Sequence, residues 1–224
     1  MTVKDYYNEI ADKYDSLRYG KDYHYQVAQL ELLFIQEYLK NELCLEVGVG
    51  TGRVTKFLFN HFKKVVAVDI SSHMLERLRL NLPECKNLKT EILDIYELDK
   101  IEGYGNFDSA ICLRLLSHTN DPLSALKMLR GAVVGDGVII IDLWNAWGFR
   151  AVLKRLHLRS SAVYTSYNSM RQMQAIIDEA GLSIMGRKGF GFPPFKVCLP
   201  LEKVSWPLLD YFAQRIIWVC CPRI

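Results

Sequence analysis

Short apolar runs rich in β-branched residues alternate along the chain with longer segments whose apolar residues recur at helical spacing. That is the pattern of βαβ units wound around a parallel sheet. The runs predict strands at Leu43 to Val47, Val65 to Asp69, Leu88 to Leu93, Phe107 to Leu113 and Val138 to Leu143. Between them the spacing predicts helices over Arg53 to His61, Ser72 to Leu80 and Pro122 to Val133, with Ser71 and Asp121 standing where N-caps belong. A further helix from Asn168 to Ala180 stops at Gly181 and leads into a strand from Leu182. The expected fold is a doubly wound α/β domain with at least six strands.

Three segments fall outside this repeat. Residues 1–40 read as a helical N-terminal extension in which Tyr6, Tyr7, Tyr14, Tyr19, Tyr23 and Tyr25 give an aromatic, polar-tipped surface. Residues 144–167 form a long connection after the fifth strand, inserted in a core taken as 41–200. An apolar, proline-containing tail runs over 189–224, its last part, 201–224, being set apart from that core. Ligands of open α/β sheets bind beyond the carboxyl ends of the strands, so these insertions are where a substrate pocket is expected. The whole is read as one structural domain.

Composition narrows the reading. Half of the 224 residues are apolar and a net charge of +3 is too mild for a nucleic-acid binder. The six cysteines include no C-x-x-C pair and the five histidines no H-x-x-x-H, so no metal or redox centre is expected. Cys44 and Cys112 sit in apolar runs as small core residues of a reduced, cytoplasmic protein. The N-terminus has charged and polar residues where a signal peptide needs an apolar stretch.

The chemistry begins directly after the first strand. Glu46 to Gly52 reads E-V-G-V-G-T-G, and Gly48, Gly50 and Gly52, flanking Thr51, precede the next helix. A strand, a tight glycine turn and a helix N-terminus leave free backbone N–H groups beside a surface without side chains, which suits a polar ligand lying flush against it. A nicotinamide fingerprint requires its third glycine where Arg53 stands. Asp69, at the end of the second strand, is placed to accept hydrogen bonds from two ribose hydroxyls. Asp94 follows the third strand, where its carboxylate either accepts from an adenine amine, with the Ile95 N–H donating to the ring, or simply caps the strand end.

C-L-E-V-G-V-G-T-G-R at 44–53, V-V-A-V-D-I-S at 65–71, L-D-I at 93–95 and F-D-S-A-I-C-L-R-L-L-S-H at 107–118 occur in the order and spacing of one family. The stretch from about Leu43 to Leu143 resembles the class I S-adenosylmethionine-dependent methyltransferases, and Y-N-E-I-A-D-K-Y-D at 7–15 resembles the N-terminal segment of their small-molecule members. The resemblance implies a seven-stranded, mostly parallel Rossmann-like sheet and the cofactor S-adenosylmethionine, released as S-adenosylhomocysteine. It further implies that Gly48, Gly50, Thr51 and Gly52 line the methionine and ribose, and that Glu46 orients the amino end. Asp69 would bind the ribose, Ile70 and Met74 would pack on the adenine, and Asp94 and Ile95 would bind its edge. Backbone near Leu113 would hold the ammonium, and Tyr14 would close over the sulfonium.

Methyl transfer is an in-line displacement from an electrophile that is already strong, so alignment and exclusion of water matter more than a nucleophile. An oxygen or nitrogen acceptor needs a base, and His118, after the fourth strand, is the candidate, with Tyr14 beside it. Arg18, His24, Arg114 and Asp142 are further residues that either face the pocket or serve packing and capping. DNA-base methyltransferases carry Asn or Asp, Pro, Pro and an aromatic after the fourth strand; here stand Leu113, Arg114, Leu115 and Leu116, while G-F-P-P-F at 191–195 is far downstream. Nucleic-acid substrates are not expected; a small or lipid-linked acceptor is. Residues 147–159 predict a basic amphipathic helix, with Phe149, Val152, Leu153 and Leu156 on one stripe and Arg150, Lys154, Arg155 and Arg159 supplying charge. Such a helix lies at an anionic membrane surface, holds a phosphate-bearing substrate or is a lid with a solvated basic face, and the apolar tail at 201–224 covers the core, forms a homodimer interface or rests on a membrane as a peripheral contact. The alternatives are a nicotinamide oxidoreductase and a non-catalytic cofactor-binding module acting through a partner.

Overall fold

The computed structural model describes residues 2–20, 22–40, 42–158, 163–192, 199–204 and 206–223. Three helices lead the chain, α1 (Val3–Ile10), α2 (Tyr14–Tyr19) and α3 (Asp22–Gln36). The alternating core follows: β1 (Leu43–Val47), α4 (Thr55–Leu58), β2 (Lys64–Asp69), α5 (Ser72–Asn81), β3 (Leu88–Ile92), β4 (Phe107–Cys112), α6 (Pro122–Ala132) and β5 (Val133–Trp144). Then come α7 (Phe149–Arg155), α8 (Met170–Glu179), β6 (Leu182–Phe190), α9 (Leu199–Glu202) and β7 (Arg215–Pro222). The seven strands form one sheet in the order β3-β2-β1-β4-β5-β7-β6. Strands β1 to β5 are parallel, and β7 runs antiparallel between β5 and β6.

Each strand's alternation divides the core between two faces. Leu45, Val47, Ile139, Ile141, Ile216 and Trp218 pack toward α6 and α8, while Cys44, Val138, Ile140, Ile217 and Val219 pack toward α3 and α4. Ser71 and Asp121 cap α5 and α6 as expected, accepting from the Met74 and Ser124 N–H groups.

Four expectations change in detail. The helix expected over Arg53 to His61 is a single regular turn, Thr55–Leu58, because the N–H groups of Phe57 and His61 reach back only three residues and tighten both ends. The fifth strand extends at both ends, to Val133, which pairs with Phe107 of β4, and to Trp144, which pairs with Arg215 of β7. The helix after Asn168 starts at Met170, since Ser169 and Gln172 form a capping box and Asn168 bridges to Asn145. The tail is no appendage: Ile216, Ile217, Trp218 and Val219 lie inside the sheet, buried on both faces. The prolines of G-F-P-P-F, together with Arg159, lie outside the described residues.

Candidate functional site

The sheet changes direction between β1 and β4, so the ends of β1, β2 and β4 converge on one edge, where ligands of such folds sit. At this edge Gly48, Gly50 and Gly52 have φ of +74°, +55° and +93°. The Gly48 N–H donates to the Val68 carbonyl at 2.8 Å, tying the turn to β2. The Asp69 carboxylate spans the same gap, accepting from Gly50 N–H and Ser71 N–H, both at 2.9 Å. Its burial raises its pKa above the ordinary value. A side chain on Gly50 would meet nothing closer than Tyr14 Cε1 at 3.9 Å, so the backbone there is an open face. A side chain on Gly52 would instead press on Leu78 at 3.1 Å.

Glu46 is buried and turned toward α4, its Oε2 accepting from Thr55 Oγ1 at 2.7 Å. Burial pushes its carboxyl up to about 8, so it is largely protonated at neutral pH. Asp94 accepts from the Tyr96 N–H at 3.0 Å and caps a short helical turn that follows β3, while Ile95 and Met74 are buried and Ile70 is half-buried. Leu113 is buried beneath the turn that carries Arg114.

The N-terminal helices close over this edge. Asn8 meets Ser71 Oγ at 2.6 Å, Asp15 accepts from Thr51 Oγ1 at 2.6 Å, and Asn81 holds the Thr51 carbonyl at 2.9 Å. Asn8 and Asp15 were within reach of the sequence reading, since both belong to the Y-N-E-I-A-D-K-Y-D stretch, of which only Tyr14 was assigned a role.

Beside the turn lies a cavity of about 360 Å³. Tyr7, Tyr14, Arg18 and His24 line one side and Arg114 and His118 the floor, with Trp144, Arg150, Tyr167 and Arg215 opposite. His118 Nδ1 is 2.8 Å from the Tyr164 carbonyl. A carbonyl only accepts, so Nδ1 carries the proton and Nε2 keeps its lone pair. Burial lowers the imidazole pKa, favouring this neutral form. The ring stands 6.0 Å from that of Tyr7, whose phenol burial pushes up to about 12. Tyr14 is raised too, chiefly by burial, and stays a neutral phenol.

The floor rests on Glu31 of α3, which is 2% exposed. Its carboxylate meets Arg114 and Arg215 at 2.5 Å each and Arg53 at 3.5 Å. Those charges hold Glu31 down at about 2 against its burial. Asp142 caps the same turn, accepting from the Arg114 N–H at 2.5 Å. Arg114 is one of the two described non-glycine residues with positive φ, at +65°, a conformation that persists only where surrounding contacts enforce it. Sequence reading missed Glu31, Gln214 and Arg215. An acid on the apolar face of α3, among Val27, Leu32 and Ile35, was the available signal of a buried cationic partner.

A methyltransferase domain model matches residues 45–139. The chain is 25% identical over 158 residues to the ubiquinone biosynthesis O-methyltransferase of Vibrio campbellii, covering 67% of each protein. It is 28% identical over 146 residues to the dTDP-3-amino-3,6-dideoxy-alpha-D-glucopyranose N,N-dimethyltransferase of Streptomyces fradiae, covering 62% of this chain and 55% of that one. A solved S-adenosylmethionine-dependent methyltransferase from Clostridium acetobutylicum shares the fold, with a TM-score of 0.68 at 17% identity over 97% of this chain and 99% of that one. With these matches the oxidoreductase and non-catalytic alternatives fall away: residues 45–139 form a methyltransferase domain, and the chain is similar to the class I S-adenosylmethionine-dependent methyltransferases.

Proposed function

We propose that the enzyme methylates an oxygen or nitrogen atom of a small or lipid-linked acceptor held in the cavity, with His118 as general base. The observation that carries this reading is the pinned imidazole: a neutral ring lining the cavity, its Nδ1 committed to Tyr164 and its Nε2 left basic. The open backbone at Gly50 fits the cofactor, which supplies an electrophilic methyl group when bound. Gly48, Gly50, Thr51 and Gly52 would line it, with Leu113 contributing backbone. Asp69 would exchange its contact to Gly50 N–H for the ribose hydroxyls, and Asp94, Ile95, Ile70 and Met74 would frame the adenine. Protonated Glu46 would serve the amino end through its environment rather than as a bare carboxylate. Tyr7 and Tyr14, neutral phenols, would exclude water from the reacting side. Radiolabelled methyl transfer to fractionated extracts tests the reading. His118→Asn is expected to lower turnover about 100-fold or more while leaving S-adenosylhomocysteine binding intact; unchanged turnover would remove the base.

No described helix is long and apolar enough to cross a membrane. Peripheral contact is supported instead by two segments that pack together. Asn145 Nδ2 donates to the Tyr211 and Ala213 carbonyls at 3.0 Å, and the two segments expose Trp147, Leu156, Trp206, Leu208 and Phe212. Of the cations of α7, Arg150 and Arg155 stack on Trp144 and Trp147, and Lys154 donates to the Thr165 carbonyl. Flotation with anionic vesicles tests membrane contact; a failure to float together with sedimentation as a dimer would favour the homodimer.

A further inference from the structure

We infer that the acceptor carries an oxyanion, a carboxylate or a phosphate, which docks against Arg114, Arg150, Arg215 and Gln214. This deepens the methyl-transfer reading above and rests on it.

The charge on the wall is one-sided. Arg18, Arg114, Arg150 and Arg215 line the cavity, and no Asp or Glu lines it among the described residues. The carboxylates behind the floor do not cancel this charge, because Glu31 and Asp142 together face Arg53, Arg114 and Arg215. A cationic amine would meet four guanidiniums and no lining carboxylate there, whereas an anion would meet complementary charge.

Unsatisfied donors make the second, independent argument. Arg114 Nε and Gln214 Nε2 are buried without an acceptor among the described residues, and both residues line the cavity. Gln214 is 4% exposed, and its Oε1 accepts from the Arg150 N–H at 3.1 Å, which fixes the amide with its NH2 group spare. A buried donor left unpaired keeps its full desolvation cost, and carboxylate or phosphate oxygens are the acceptors that remove that cost at several donors at once.

The donors are also held in place before any ligand arrives. Glu31 grips Arg114 and Arg215, each through one nitrogen, and Arg215 and Arg150 both stack on the Trp144 ring, with centroid distances of 5.3 and 5.0 Å. A preordered guanidinium loses little freedom on binding, which favours a specific oxyanion site over diffuse attraction. The ring-lined remainder of the cavity suits a flat or apolar body attached to the anion.

The test uses the full chain saturated with S-adenosylhomocysteine, so that cofactor binding is scored first and separately. Calorimetric titrations follow with phenyl phosphate, 4-hydroxybenzoate, methyl 4-hydroxybenzoate and tyramine. At least one anion is expected to bind about tenfold or more tightly than both the neutral ester and the amine, with an affinity that falls as salt rises. Arg150→Gln and Arg18→Gln, at half-buried positions, should each weaken the anion severalfold and leave S-adenosylhomocysteine affinity unchanged. Equal or tighter binding of ester or amine, indifference to both substitutions, or no binding of any probe would overturn the proposal. Loss of S-adenosylhomocysteine binding by the unmodified chain would instead strike the methyl-transfer reading. Displacement of the bound anion by phosphatidate-containing vesicles, and not by phosphatidylcholine alone, would assign it to a lipid headgroup; no displacement assigns it to a free metabolite.

Discussion

Two glycines of one turn should respond to alanine in opposite ways. Both have positive φ, +55° at Gly50 and +93° at Gly52. Forcing alanine into the left-handed region costs about 1–2 kcal/mol. At Gly50 that is nearly the whole penalty, because the nearest atom to the added methyl is Tyr14 Cε1 at 3.9 Å, an ordinary contact. At Gly52 the methyl lies 3.1 Å from Leu78 Cγ and 3.3 Å from Leu82 Cδ1, and Leu78 is fully buried. Overpacking there adds about 1–3 kcal/mol. For a chain of this size each kcal/mol moves the melting temperature by about 2–4 °C. Gly50→Ala should therefore melt about 2–8 °C lower, and Gly52→Ala about twice that. A ligand at about 100 times its Kd adds about 2.7 kcal/mol, an upward shift of about 5–11 °C. Thermal scans with and without S-adenosylhomocysteine then separate the roles: Gly52→Ala keeps the ligand shift on a strongly lowered baseline, whereas Gly50→Ala lowers the baseline less and loses the shift. If Gly50→Ala retained the full shift, the open backbone at Gly50 would not be the cofactor surface.

Three other outcomes are expected. Glu46 has a folded-state pKa near 8, above its ordinary 4.5, so its protonation stabilises the fold fully below about pH 4.5 and that contribution is lost as pH rises through 8. The stability difference between wild type and Glu46→Gln, from urea unfolding at pH 5 and pH 9, should therefore move against wild type at the higher pH, by at most about 5 kcal/mol; a pH-independent difference would deny the raised pKa. His118 acts as a base only when neutral, and burial lowers its pKa below the ordinary 6.5. The kcat/KM profile should accordingly rise through a midpoint under 6.5 and stay level above it, and a midpoint above 7 would contradict the buried, neutral ring. Trp218, 1% exposed within β7, should cost about 3–5 kcal/mol on replacement by alanine. A urea midpoint close to that of wild type would return this stretch to the surface.

The parallel half of the fold was readable because its strands are punctuated. Gly48 follows β1 and Ser71 and Asp121 mark helix starts, so period and caps agree. Strand β7 was not, since Ile216 to Val219 is buried on both faces and a strand without a polar face shows no alternation. An apolar run at the end of a chain reads equally as core, interface or membrane contact, and only the pairing with β5 and β6 decides. The cofactor turn was legible as a local motif. The acceptor cavity was not local: Arg114 and Arg215 are brought to Glu31 from 83 and 184 positions away. Arg150 was legible only as one charge of a basic amphipathic helix, and the Trp144 ring on which it stacks becomes its neighbour only once α7 folds back.

The N-terminal helices bear on both halves of the reaction at once. Asn8 and Asp15 touch the two loops that follow β1 and β2, where the cofactor motifs lie. Tyr7 and Tyr14 line the cavity, and Glu31 of the next helix orders the arginines of its floor. A segment that contacts both compartments cannot shift without changing both, so occupancy of either should favour the helix position that suits the other. Such coupling requires only that each ligand prefer the closed arrangement. The Asp15 to Thr51 bond makes that preference concrete: it joins the helix carrying Tyr14 to the turn whose open backbone at Gly50 faces the same tyrosine. On the proposed reading, cofactor selection and acceptor selection are not separate properties of core and lid, because the N-terminal helices would supply one wall of the acceptor cavity and a latch on the cofactor turn.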